Sequence, residues 1–383
     1  MRKNNRGVLI GNFSLKDQLF NPQKVTQLAE EIAFVYPSFM KQAFIEEVIG
    51  SFPRLELKER IYHMRDGLKK YLPLEYKEAL MIILKALPPE LDPKKSDDDF
   101  GDFIYAPYGE FVATYGCEQE YLELSFFALA EITKRFSMEY AIRDFINTFP
   151  TETLAMLYKL STSPNYHQRR LASEGLRPKL PWAKKINIDY RKPLEHLDNL
   201  FYDPTRYVTR SVANHLNDIA KIDAPLVIET LKRWKKSEKQ HRKEMEFIVN
   251  HALRTLVKKG DSEALAFLGY TQNPPIVVKD FKLINEKIMV GEELMFNLNI
   301  QAREETQVMV DYIIHFRIKN GKYSPKVYKL KQFILKKGES IKLSKKHLFR
   351  AKMSTRKLYE GEHQVSLQIN GNIIEEHTFY LKV

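Results

Sequence analysis

PNYHQRRLASEGL (residues 164–176) and PTRYVTRSVANHL (204–216) align at an offset of 40, matching Pro164 to Pro204, Arg170 to Arg210 and Leu176 to Leu216. That period is near the one of HEAT-like helical repeats, whose helical hairpins bury their apolar faces by stacking on one another. IVNHALRTL (248–256) is a looser third copy. Upstream the helical spacing continues in Leu28, Ile32 and Val35, in Leu57, Ile61 and Met64, in Leu80, Ile83 and Leu84, and in Leu122, Phe126, Leu129 and Ile132. Turns at YPSF (36–39), PPELDP (88–93), TSPN (162–165) and YDP (202–204) separate these stretches, and the acidic SDDDFGD (96–102) reads as a solvated loop. The spacing predicts a HEAT-like α-helical repeat solenoid over residues 1–270.

After Tyr270 the pattern changes. TQNPP (271–275) is a stiff linker, and period-two segments follow at 277–283, 294–300, 308–318, 328–335, 364–369 and 377–383. Asn-Gly pairs at 320–321 and 370–371 are hairpin signals. Six or seven short strands over residues 276–383 fit an immunoglobulin-like β-sandwich, without the Cys…Trp…Cys pattern of antibody domains.

Composition excludes several classes. A single cysteine, Cys117, rules out a disulfide framework, an iron–sulfur cluster and a cysteine-ligated zinc site. No apolar run approaches the ~18 residues of a membrane span, and MRKNNRGVLIGN (1–12) lacks a signal-peptide core, so a cytoplasmic setting is expected. The net charge of +12 is uneven: −4 over residues 1–159, then +8 over 160–275 and +8 over 276–383. Two basic segments after an acidic one suggest a polyanionic partner.

The repeats also align polar residues. Arg206, Arg210, Asn214 and Asn217 share one helix face, Arg170, Glu174 and Arg177 follow the same course one repeat earlier, and Asn250, Arg254 and Lys258 one repeat later. Any exposed helix face carries charge, but three mostly basic stripes in register would line one surface suited to phosphate and sugar contacts, with Arg169 beside them. Glu174 is the exception among cations. It is either an i→i+4 salt bridge to Arg170 or a carboxylate that stabilises positive charge developing on a sugar. Trp182, in the proline-bounded LRPKLPWAKK (176–185), is flanked by Lys179, Lys184 and Lys185. Its indole either stacks on a base or caps a helical layer, whereas Trp234 reads as packing. Residues 326–357 hold twelve Lys and Arg against Glu339 alone, either to grip a nucleic-acid backbone or to protect sheet edges.

RRLASEGLRPKLPW (169–182), FSMEYAIRDF (136–145) and VTRSVANHLNDIAK (208–221) resemble the AlkC-type DNA alkylation repair proteins, HEAT-like repeat DNA glycosylases of the AlkC/AlkD superfamily. The resemblance covers most of the chain, since many such proteins carry a C-terminal immunoglobulin-like domain. It implies base excision repair of cationic N-methylated bases, chiefly 3-methyladenine and by analogy 3-methylcytosine, in duplex DNA and without a deep base pocket. The family's catalytic positions fall on Glu174, Trp182, Arg170 and Glu139. From the residues alone, Glu139 is a first-turn glutamate after an N-cap Ser137. Lys179 and Asp144 depart from the Arg and Pro expected there.

A cationic base needs no general acid to leave, so the carboxylates would favour an oxocarbenium-like sugar, one of them orienting a water. The expected partner is double-stranded DNA containing alkylated bases, met by a monomer without metal or cofactor. The rivals are a non-catalytic HEAT-repeat damage binder and a scaffold for an acidic protein.

Overall fold

The computed structural model describes residues 14–95, 97, 100–351 and 356–383, with the backbone of two short strands, β1 (Arg2–Lys3) and β2 (Leu9–Ile10). Otherwise MRKNNRGVLIGN, Ser96, Asp98 and Asp99 of the acidic loop, and Lys352 of the basic segment lie outside the described residues. Helices α1 (Leu15–Leu19), α2 (Pro22–Val35), α3 (Lys41–Ser51), α4 (Leu57–Tyr71), α5 (Tyr76–Lys85), α6 (Ala106–Tyr115), α7 (Leu122–Ile132) and α8 (Ile142–Thr148) precede the repeats. The repeats supply α9 (Pro150–Leu160), α10 (Tyr166–Glu174), α11 (Leu194–Leu200), α12 (Arg206–Ile219), α13 (Ala224–Ser237) and α14 (Arg242–Lys259), followed by α15 (Ser262–Phe267). Two compact units result: Met1–Ile222 with Leu231–Ala252, and Asp223–Thr230 with Leu253–Val383. Among the described residues no helix is long and apolar enough to cross a membrane.

In the first unit the repeat alignment holds as packing. Val208, Val212, Leu216 and Ile219 of α12 are fully buried, and α12 packs on α10. Asn165 caps α10 and Asn21 caps α2, each accepting a backbone N–H that the first turn leaves without an intrahelical partner. Trp234 is buried, stacks on Phe201 with ring centroids 4.5 Å apart and donates its indole N–H to Asp198 at 2.6 Å. The acidic loop is docked where it is described, not solvated throughout. Asp97 pairs with Arg210, the Phe100 ring meets Tyr207 edge-on, and Asp102 pairs with Lys24.

The second unit is a β-sandwich. Strands β3 (Ile276–Leu283), β4 (Lys287–Met289), β5 (Glu293–Ala302), β6 (Thr306–Arg317), β7 (Tyr323–Leu335), β8 (Ser340–Leu348), β9 (Gly361–Ile369) and β10 (Asn372–Lys382) form two sheets, ordered β4-β10-β9-β6-β7 and β3-β5-β8. Pairing is antiparallel except between β4 and β10. Phe281, Phe296, Tyr312, Phe316, Phe349 and Phe379 fill the space between the sheets. The sequence pattern misses β8, whose SIKLSKKHL buries only Leu343 and lies on a sheet edge where lysines discourage further pairing.

The unit also begins before the composition changes at residue 270, because Leu265 and Tyr270 pack with Met309. The β9–β10 hairpin turns on Asn370 and Gly371, at φ 44° and 86°, as the Asn-Gly pair predicts for the tightest hairpin turn. Asn370 is buried. Its side chain donates to Thr271 O at 2.8 Å and accepts from Met309 N–H at 2.7 Å. Asn370→Ala strands these backbone groups and puts a less tolerant residue at positive φ. It should cost about 2–4 kcal/mol in urea unfolding at unchanged m.

Candidate active site

Helix α10 ends at Glu174, short of Pro178. Gly175 follows because a Cβ there would meet Ile142 of α8 at 2.7 Å. The turn before α8 carries Ser137 and Glu139. Ser137 is not a helix N-cap, since α8 starts only at Ile142, and its hydroxyl instead accepts from Arg170 Nη1 at 2.8 Å. The same guanidinium nitrogen donates to Glu139 Oε2 at 3.0 Å, and Arg170 Nη2 lies 3.7 Å from Glu174 Oε1. Arg170 therefore joins the two carboxylates named by the family resemblance. Its guanidinium carbon lies 4.4 Å from the Tyr207 ring centroid and 5.7 Å from that of Phe100, which restrains it further.

Glu174 is not a solvated residue in a basic stripe. It is buried, with Arg177 Nη1 donating to Oε1 and Ser211 Oγ to Oε2, both at 2.6 Å. Arg177 Nε donates in turn to Asp218 Oδ2 at 3.0 Å. Burial opposes the charge on Glu174, but the guanidiniums of Arg170 and Arg177 and the hydrogen bonds from Ser211 and Arg177 outweigh it. They hold its carboxyl below the usual carboxylate range. A carboxylate so fully engaged is a fixed negative charge, poorly placed to take up a proton. Glu139 differs: its side chain is 15% exposed, and Oε1 has no hydrogen-bond partner among the described residues.

Trp182 projects from the turn after α10, 77% exposed and with φ 61°, the left-handed region that a bulky residue enters at a cost of about 1–3 kcal/mol. Side chains grip the carbonyls of this segment. Arg143, itself buried, donates to Gly175 O at 2.9 Å, to Arg177 O at 3.0 Å and to Lys184 O. Tyr140 donates to Pro181 O at 3.3 Å, and Lys58 to Trp182 O. Sequence reading missed these residues. Tyr140 directly follows Glu139 and Arg143 lies in the quoted FSMEYAIRDF, so their position was visible. Lys58, in the acidic part of the chain, gave no signal.

The basic stripes fare differently from expectation. Arg169 pairs with Asp203, Arg206 with Glu244 while covering Phe247, and Arg210 with Asp97. Asn214 bonds His251, and Asn217 and Arg177 are buried. Arg254 is half-buried and falls in the second compact unit. Most of these pairs span about one repeat, so the stripe is largely where successive repeats meet rather than an open cationic face. Of Arg169, Arg206 and Arg210, Arg169 is the most enclosed, where an unpaired charge would be costly, while Arg206 and Arg210 stay partly exposed beside their carboxylates. Lys179 and Lys185 are exposed, while Lys184 is exposed but paired with Asp144, the residue that departs from the family pattern.

Helical repeats that hold a buried arginine–carboxylate cluster, an exposed tryptophan on the loop after α10 and an immunoglobulin-like sandwich make up the AlkC-type architecture that the sequence resembles. A protein of Bacillus subtilis (strain 168) named "Uncharacterized protein YhaZ" is 32% identical over 366 residues, 94% of this chain and 98% of that protein. The family described as "Uncharacterised protein YhaZ, C-terminal Ig-like domain" matches residues 277–383. The structure of Pseudomonas fluorescens alkylpurine DNA glycosylase AlkC, bound to DNA containing an abasic site analog, aligns at a TM-score of 0.86. It is 29% identical and covers 97% of this chain and 100% of its own. The chain belongs to the AlkC-type family that includes YhaZ.

Arg177→Met leaves Glu174 and Asp218 buried without their shared cation, and should cost about 3–5 kcal/mol in urea unfolding. Glu174 now contributes stability above the unfolded glutamate pKa of ~4.3, and the contribution fades as pH falls through its lowered folded value. In Arg177→Met that loss should begin at higher pH, seen as an acid limb of the unfolding midpoint shifted toward neutrality.

Proposed function

We propose that this protein is a DNA glycosylase of base excision repair that hydrolyses the N-glycosidic bond of cationic alkylated bases in duplex DNA, foremost 3-methyladenine and then 3-methylcytosine. The observation that carries the reading is one guanidinium, Arg170, shared by a buried ionised Glu174 and a partly exposed Glu139, with the exposed indole of Trp182 on the following loop, whose Pro181 carbonyl is held by Tyr140, the residue next to Glu139. The likeness to AlkC over nearly the whole chain supports it.

In this reading the C1′–N bond breaks with its electron pair passing to the methylated base, which leaves neutral and needs no proton. Positive charge stays on the sugar as an oxocarbenium-like species. Glu174 supplies a negative potential that is already organised, because Arg170, Arg177 and Ser211 fix its geometry before substrate arrives. The free oxygen of Glu139 orients the water that adds to C1′ and takes its proton. Trp182 lies against the cationic base or sugar, an attraction of ~1–2 kcal/mol when desolvated. Of these groups only Trp182 is openly exposed, which suits recognition at the surface without a deep pocket, selectivity arising from the lability and charge of the lesion.

Backbone contacts fall to Lys179 and Lys185 and to lysines of the sandwich. Lys326, Lys329 and Lys331 on β7 and Lys342 and Lys346 on β8 are exposed along sheet edges. The protein acts as a monomer in the cytoplasm, without a metal or cofactor.

Glu174→Gln disturbs a buried network and so mixes stability with chemistry. Glu139→Gln and Trp182→Ala are cleaner. Each should lower single-turnover release of 3-methyladenine from methylated duplex DNA roughly 100-fold while the far-UV spectrum stays unchanged. Release at the wild-type rate by both variants would remove these residues from the chemistry. No release by the wild type would leave a non-catalytic damage binder.

A further inference from the structure

The geometry points to Lys58 as a positioning residue for Trp182, reaching from α4 to hold the loop that presents the indole. Its catalytic consequence rests on the glycosidic reading above. Lys58 is exposed and lies 124 positions before Trp182 in the chain, yet its ammonium donates to the Trp182 carbonyl. That carbonyl belongs to the one residue of the loop at positive φ, a conformation that a tryptophan keeps only when its surroundings fix it.

The neighbouring contacts share the task. Tyr140 holds the Pro181 carbonyl, Asn147 donates to Lys185 O at 2.9 Å, and Arg143 holds Gly175, Arg177 and Lys184. Lys58 also lies 5.8 Å from the centroid of the Tyr140 ring, so the two donors next to Trp182 support each other. Of these donors Lys58 alone binds the tryptophan's own peptide group and alone comes from a helix that precedes every one of the family motifs. A lysine in this region would ordinarily be read as a phosphate contact, but here its ammonium already has a partner inside the protein.

Removing the donor frees the Trp182 peptide to leave the left-handed region, and the released apolar indole turns back onto the loop. The test uses the full chain as Lys58→Met, which keeps the aliphatic stem, Lys58→Arg, which restores a donor, and Tyr140→Phe, which removes only the Pro181 contact. Acrylamide quenching without DNA reports on Trp182, since Trp234 is buried. We expect shallower quenching in Lys58→Met, recovery in Lys58→Arg and a smaller change of the same sign in Tyr140→Phe. In single turnover at saturating methylated DNA, Lys58→Met should lose roughly 10- to 100-fold in rate with little change in half-saturation, and Lys58→Arg should recover most of it. Wild-type quenching in Lys58→Met would overturn the proposal, as would a defect confined to half-saturation and salt dependence, which marks a phosphate contact. If the wild type releases no base, the glycosylase reading fails while the quenching series still decides the role of Lys58.

Discussion

The Arg177 guanidinium, divided between Glu174 at the end of α10 and Asp218 near the end of α12, is the contact on which the candidate site depends. It fastens two successive repeats at the end of α10 that carries Glu174. Burying three charges carries a heavy desolvation cost, which only near-complete hydrogen bonding offsets. Glu174 has that bonding: Arg177 and Ser211 donate to it, and Arg170 approaches from its other side. The outcome is a carboxylate held ionised in a poorly solvated place, where its potential acts at greater strength than it would in water.

The same constraint explains why the arginines of the aligned stripes are paired, while the open cations of the repeats, such as Lys232, Lys236 and Lys243, lie elsewhere on the helices. Arg169, Arg206 and Arg210 each meet an acidic partner from another layer or from the docked acidic loop. The excess charge of residues 160–275 is thus partly absorbed by the architecture. What stays exposed beside the site is sparse and local, Lys179 and Lys185 near Trp182. The sandwich presents lysines along both β7 and β8, where edge protection and attraction for a polyanion are served by the same residues.

Much of this was legible in the residues. The offset of 40 between the two quoted stretches located α10 and α12 and the buried stripe Val208, Val212, Leu216 and Ile219. The Asn370-Gly371 pair located a hairpin with both residues at positive φ. Helical periodicity distinguishes apolar from polar faces but does not say whether a polar face meets water or another repeat. For that reason the periodicity places Glu174, Arg177 and Asn217 on a polar face, and the fold buries all three. Strand β8 escaped notice because an edge strand with one buried side chain has little apolar alternation. Lys58 was invisible because its relation to Trp182 is made entirely by tertiary folding.

The central claim is that this cluster stabilises positive charge on a sugar. The most direct measurement compares the affinity of the wild-type protein for two duplexes, one with a cationic pyrrolidine in place of the damaged nucleotide and one with the neutral tetrahydrofuran analogue. The account predicts that the cationic duplex binds at least ~10-fold tighter, a difference of about 1.4 kcal/mol. Equal binding of the two would contradict it.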